Sequence, residues 1–394
     1  MQKNSRKNST KNFCEKHKYN YNFWLFLRIR EIMSEIKKIE VVDLFCGIGG
    51  LSYGMKQEGF DIIAGYDVDK TCRYAYETNT GGQFFDKDIK SVTGDEIKKL
   101  YSDTQSTIRV LAGCAPCQPF SSYAFKNKNK DPNKYDLLYE FGRLVEEVEP
   151  DIVTMENVTQ IFNFKSKPVL RDFVEKLKSL GFDVDLNKVF CPDYGIPQTR
   201  KRLVLLASRF GEIKLISPTH KKENYVTVRD VIGDLKPIAA GETDGNDPLH
   251  HAKALTPINL KRIKATPNGG SWHDWPEELV LECHKKDKGK TYGSVYGRME
   301  WDKPSPTMTT QCTGLGNGRF GHPEQDRAIS MREAALLQTF PKTYKFFQDE
   351  ANLSIALLSR YIGNAVPPRL GKVIAESITN HLKDLQHEKE PKTK

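Results

Sequence analysis

The run Ile39-Glu-Val-Val-Asp-Leu-Phe45 constrains the fold of this chain more than any other stretch. Its β-branched, apolar character predicts a parallel strand buried on both faces. It flows directly into Cys46-Gly47-Ile48-Gly49-Gly50-Leu51-Ser52, and the pattern then predicts a helix from about Leu51 to Glu58. Strand, glycine turn and helix together open an α/β unit. Glycines at such a corner let a ligand approach the backbone. The next predicted strand, Asp61 to Tyr66, ends in Asp67, about twenty residues after the glycines. A carboxylate at that point suits ribose hydroxyls. This half-fold alone does not separate a dinucleotide from an adenosyl cofactor. The glycines run G-x-G-G rather than G-x-G-x-x-G, which leans away from a dinucleotide.

The alternation continues down the chain. A helix is predicted from about Lys70 to Glu77, and Phe84 to Ile89 follow a turn, placing Asp88 where a third strand should end. Ile108 to Ala112 reads as another buried strand. It breaks at Gly113-Cys114-Ala115-Pro116-Cys117-Gln118-Pro119, which offers a thiol at a strand's carboxyl end, where open α/β sheets hold their chemistry. Cys117 is therefore a candidate nucleophile. Lys126 to Lys134 carry four Lys against one Asp, a loop either simply solvated or able to close over an anionic substrate. A helix from Tyr135 to Glu147 ends before Pro150. Asp151 to Met155 forms a strand that runs out in Glu156-Asn157-Val158, so a carboxylate can face the same crevice as Cys117. A helix, Val169 to Leu180, and a strand, Phe182 to Phe190, lead to Gln198-Thr-Arg200-Lys-Arg202 and a last strand, Leu203 to Ala207. By the period of two, Arg200 and Arg202 should share a face.

Composition matters mainly where it is uneven. The net charge is +9, but residues 1–32 hold eight Lys/Arg and two Glu, a local +6. Global basicity is thus weak evidence for nucleic acid, and residues 1–32 read as a loose basic extension, with Met33 a candidate functional start. No apolar run approaches a membrane span, and the chain is expected to be cytoplasmic. The eight cysteines are scattered. Cys114 and Cys117 form one C-x-x-C pair, which raises a thiol-redox reading. Pro119 and a polar loop follow it, however, where a thioredoxin-type site would open a helix. There is no second C-x-x-C and no spaced His pair, so no metal site is expected.

Composition shifts near Gly211. Residues 211–297 hold thirteen Lys/Arg, twelve Asp/Glu and five of the nine His, with frequent Gly and Pro. They are expected to form a small irregular domain. An ordered pattern resumes at residue 298, with a helical stretch from Ser330 to Thr339. Arg360-Tyr-Ile-Gly-Asn364-Ala-Val366-Pro-Pro then opens a closing helix from about Arg369 to Leu385. The expected organisation is an extension (1–32), a catalytic and cofactor-binding part (33–210), the irregular domain (211–297), a return to the catalytic domain (298–386) and a frayed tail (387–394).

In order, DLFCGIGG (43–50), Asp67, Asp88, APCQPFS (115–121), ENV (156–158), QTRKR (198–202), RMEWDKPSPTMTT (298–310) and GNAVPP (363–368) resemble the motif series of bacterial C5-cytosine-specific DNA methyltransferases. The resemblance spans residues 41 to about 380. It implies a Rossmann-like α/β fold of the S-adenosylmethionine-dependent type, a mostly parallel sheet with helices on both faces. The small domain at 211–297 would be its target-recognition region. It also implies transfer of a methyl group from S-adenosylmethionine to C5 of a cytosine flipped out of double-stranded DNA. Cys117 would add to C6, Glu156 would bind N3 and the exocyclic amine, Arg202 would reach O2, and Arg200 would serve the loop or phosphates. Phe45, Gly47, Ile48, Gly49 and Gly50 would hold the methionine and adenosine parts of the cofactor. Asp67 would bind the ribose and Asp88 and Ile89 the adenine, with Pro116, Leu137, Asn364 and Val366 completing the pocket. Val68 stands where the family often has an aromatic to stack on adenine. A monomer is expected, with any cognate restriction endonuclease acting separately. The rival readings are a catalytically silent DNA-binding protein of the same fold and the thiol-redox protein.

Overall fold

The computed structural model describes residues 38–104, 106–116, 136–163, 168–349 and 354–387. The expected extension, the basic loop after Cys117, Cys117 itself and most of the expected tail lie outside the described residues.

The apolar runs become a seven-stranded sheet: β1 (Lys38–Leu44), β2 (Asp61–Asp67), β3 (Gln83–Asp86), β4 (Thr107–Gly113), β5 (Ile152–Val158), β6 (Asp183–Phe190) and β7 (Lys201–Ser208). Their order is β3-β2-β1-β4-β5-β7-β6. All pairings are parallel except those of β7, which runs antiparallel to both β5 and β6. Strand residues alternate between two buried layers. Val41, Val110, Ile152 and Val204 face one, and Val42, Leu111, Val153 and Leu205 face the other. That double burial is why these strands are continuous apolar runs.

Helices cover both faces. On one side lie α1 (Gly50–Lys56) and α2 (Arg73–Thr80), and on the other α3 (Asp136–Val148) and α4 (Val169–Ser179). In the later chain, α5 (Pro257–Lys264) belongs to the irregular region. It is followed by α6 (Met331–Leu337), α7 (Ile355–Asn364) and α8 (Pro368–His387). Helix α8 returns to pack on α1, and the two backbones nearly touch. A Cβ on Gly54 would sit 2.1 Å from the Pro368 carbonyl oxygen, and one on Gly371 would sit 2.5 Å from that of Leu51. Among the described residues no helix is long and apolar enough to cross a membrane.

Some element boundaries differ from the sequence expectation for local reasons. The helix expected from Lys70 begins instead as a 3-10 turn, Lys70–Cys72, capped by Asp69 through the Thr71 N–H. Strand β3 stops at Asp86, so Asp88 lies beyond it and caps the turn Ile89–Ser91. Arg360 to Asn364 close α7 rather than opening the last helix, because Pro367 and Pro368 force a break before α8.

Residues 211–297 do not pack as one body. Ile213, Val228, Ile232 and Leu249 join the buried layer beneath the sheet. Trp272, Trp275 and Leu279 form a small core of their own, and Ile263 forms another with Leu315 and Ala328. A short hairpin, β8 (Thr243–Asp244) and β9 (Asp247–His251), joins these parts.

Candidate active site

Strand order reverses between β1 and β4, so the connections that leave their carboxyl ends run to opposite faces and open a crevice there. One side of it is the glycine turn. Cys46 N–H donates to the Tyr66 carbonyl (3.1 Å) and Gly49 N–H to that of Cys46 (2.9 Å), folding the turn back on β2. Phe45, Gly47 and Gly49 all have positive φ, at 59°, 50° and 87°. A Cβ on Gly47 would meet nothing within 4 Å, so this turn faces open space. A Cβ on Gly50 would lie 2.2 Å from the Val366 carbonyl oxygen, so Gly50 is what lets the GNAVPP segment close against the turn. Asp67 ties the two strand ends together. One carboxylate oxygen accepts the Gly47 N–H (2.9 Å) and the other the Asp69 N–H (2.8 Å). Burial holds its carboxyl above the ordinary carboxylate value. Beneath the turn, Asp43 is enclosed. Ser52 Oγ donates to its Oδ2 at 2.5 Å, while Oδ1 has no hydrogen-bond partner, and burial pushes the carboxyl up to about 7.

The other side is built from β4, β5 and β7. Antiparallel pairing puts Val158 opposite Arg202 and Glu156 opposite Val204, so Glu156 and Arg202 are diagonal neighbours on one face. Arg202 Nε lies 2.8 Å from Glu156 Oε1, with the carboxylate side chain 4 % exposed and the guanidinium side chain 13 %. The contact is an ion pair without hydrogen-bond geometry, so Oε1 keeps acceptor capacity. The Cys114 thiol donates to Glu156 Oε2 at 3.0 Å. Asn157 Nδ2 donates to the Ala115 carbonyl at 3.1 Å, fastening the turn after β4 to β5. Cys191, buried close by, has its thiol pushed up to about 12 by burial.

The expected residues thus fall into two groups. Glu156, Pro116, Asp67 and the glycine turn line the carboxyl ends of the parallel strands, and Arg202 joins them from the amino end of antiparallel β7. Arg200, to which the resemblance gave the loop or phosphates, is a buried residue in the structure. It precedes β7, is 3 % exposed, and donates inward to the carbonyls of Met308 and Ala365 at 3.3 Å each. Burial, reinforced by Arg202, lowers its pKa to about 10. The Ile89 side chain is also core, buried with Tyr66 and Val92, which leaves its backbone for any ligand contact. Asp88 is exposed and accepts the Lys90 N–H. Asn364 is exposed at the end of α7, Leu137 is half-buried on α3, and Val366 is buried.

Sequence reasoning missed the residues that hold these segments together. Gln198 is fully buried. It donates to the Leu337 carbonyl and to Gln338 Oε1, and it accepts the Met308 N–H. Gln338 Nε2 in turn donates to the Ala365 carbonyl at 2.6 Å. Asn157 was noticed only as part of ENV. A buried amide has no periodic signature, and its partners lie more than a hundred residues away in the case of Gln198.

The fold and the crevice define a Rossmann-like methyltransferase. The model of the C-5 cytosine-specific DNA methylase family matches residues 39–380, and the chain belongs to that family: it is a DNA (cytosine-5-)-methyltransferase. It is 55 % identical over 350 residues to the Type II methylase M.HgiDII of Herpetosiphon aurantiacus, covering 89 % of this chain and 97 % of that protein. It is 30 % identical over 344 residues to the Type II methyltransferase M1.HphI of Haemophilus parahaemolyticus, covering 86 % of each. Among solved structures, a prophage-encoded protein of E. coli shares the fold with a TM-score of 0.67 at 22 % identity, over 88 % of this chain and 100 % of that one.

Proposed function

We propose that Glu156, Arg202 and Cys117 act together on a single flipped cytosine, and that the glycine turn with Asp67 holds S-adenosylmethionine beside it. The family implies this cofactor, and the corner suits it. Gly47 leaves room for a ligand against the backbone, and Asp67 keeps lone pairs for a ribose diol after serving two N–H groups. Val68, 66 % exposed, offers an apolar surface next to that carboxylate. Phe45, Gly49, Asp88, Pro116, Leu137, Asn364 and Val366 would complete the pocket. When bound, the cofactor supplies an electrophilic methyl group.

The chain's own groups account for the rest. Cytosine C5 is too weak a nucleophile to be methylated unaided. Addition of the Cys117 thiolate to C6 moves electron density to C5. Glu156 engages N3 and the exocyclic amine and Arg202 the O2, stabilising the charge that develops on the ring. Once C5 carries the methyl group, loss of its proton and β-elimination release Cys117. The buried Glu156–Arg202 pair at the end of β5 carries this reading, because it presents an acceptor and a cation at the spacing of one base edge. A base inside a duplex cannot reach it, so the cytosine must flip out.

We place sequence recognition within residues 211–297, and within them on the part with its own small cores, 255–297, which leaves the sheet. The enzyme would act as a monomer on double-stranded DNA, in a restriction-modification system, as the names of its relatives indicate. Methyl transfer from labelled cofactor to DNA tests the site. Cys117→Ala and Glu156→Gln should each abolish it, and full activity in Cys117→Ser would overturn the assignment. Bisulfite sequencing of DNA from expressing cells would give the target context, and exchanging residues 255–297 with a relative's should change it.

A further inference from the structure

Cys114 takes no part in the chemistry above, yet its thiol donates to Glu156 Oε2 at 3.0 Å. Strand β5 fixes the Glu156 backbone. Rotation of a carboxylate about its last torsion is soft, however, with a broad two-fold profile. Arg202 holds Oε1 at 2.8 Å without hydrogen-bond geometry, so it restrains the carboxylate less closely than a directed bond would. The thiol contact supplies the directed bond, engaging Oε2 and so fixing how the carboxyl group faces the base. Glu156 is 3 % exposed, so water has little access to replace the donor.

We infer that Cys114 is a positioning residue, whose S–H fixes the carboxylate plane of Glu156 for the incoming cytosine. This rests on the reading of Glu156 as the base-binding group. The role needs a small donor at this position and not a second redox thiol, so a hydroxyl should serve in its place. Removing the donor should slow the chemical step by about tenfold, the scale of one hydrogen bond to a charged group. Affinity for DNA and cofactor should change little.

The test is single-turnover methyl transfer by the full chain, at saturating S-adenosylmethionine, into a duplex carrying a context located by bisulfite sequencing. Cys114→Ala and Cys114→Val should both be about tenfold slower, with KM for DNA and cofactor within about twofold of wild type. Cys114→Ser should recover most of the rate. A wild-type rate in Cys114→Ala, recovery by Val, or failure of Ser to recover would each overturn the inference while leaving Glu156's role intact. A wild-type rate in Glu156→Gln would overturn that role itself.

Discussion

The two sides of the crevice are held in different ways. The glycine side is a backbone construction: a turn of positive φ values, N–H groups anchored on Asp67, and a carbonyl from residue 366 pressed against Gly50. The β5–β7 side is a side-chain construction, in which Cys114, Glu156 and Arg202 meet across three strands. The first has no room for an added atom at Gly50, where the Val366 carbonyl closes on it. The second tolerates changes of shape but not of charge or hydrogen bonding.

Substitutions on each side should separate these two kinds of fragility. The largest effect is expected from Arg202→Met, which strands the buried Glu156 carboxylate. Denaturant unfolding should show a loss of about 3–5 kcal/mol, together with loss of methyl transfer. Gly50→Ala comes next. Its methyl group would collide with the Val366 carbonyl, costing about 1–3 kcal/mol and weakening cofactor binding measured by calorimetry. Gln338→Leu should cost about 1–2 kcal/mol, because the Ala365 carbonyl and Gln198 Nε2 each lose one of their two partners. Cofactor KM should rise more than DNA KM, because Ala365 lies between Asn364 and Val366.

The most gradual effect is a pH dependence on the glycine side. Burial raises the folded-state pKa of Asp43 from 3.8 to about 7. The native protein therefore holds this proton more tightly than the unfolded chain. Stability contributed by the neutral carboxyl is complete below the unfolded value and is lost as pH rises through the folded one. The slope is at most about 1.4 kcal/mol per pH unit. Asp43→Asn should flatten the stability profile between about pH 4 and 7, and an unchanged slope would remove Asp43 as its source.

This contrast also explains what could be read without coordinates. The strands were legible because burial on both faces writes continuous apolar runs, and β1, β4, β5 and β7 fall within a few residues of where those runs lie. The glycine turn and Asp67 were legible because their spacing along the chain is local. Glu156 and Arg202 were recognised as types, but their pairing depends on β7 running antiparallel to β5, which periodicity does not encode. The burial of Arg200 was not legible because it lies just before β7, and the strand period does not extend beyond the strand. Cys114 was legible only as half of a C-x-x-C pair, since no rule of spacing distinguishes a thiol that supports a carboxylate from one that fills space.

The close crossing of α1 and α8 has a consequence for synthesis. Gly54 emerges early from the ribosome, but its packing partners, Pro368 and Gly371, are translated more than three hundred residues later. Until then the first helix is open along one side, and the wall formed by Val366 against Gly50 does not exist. A nascent chain can fold much of its sheet, yet it has no finished cofactor corner until its last helix is free of the ribosome.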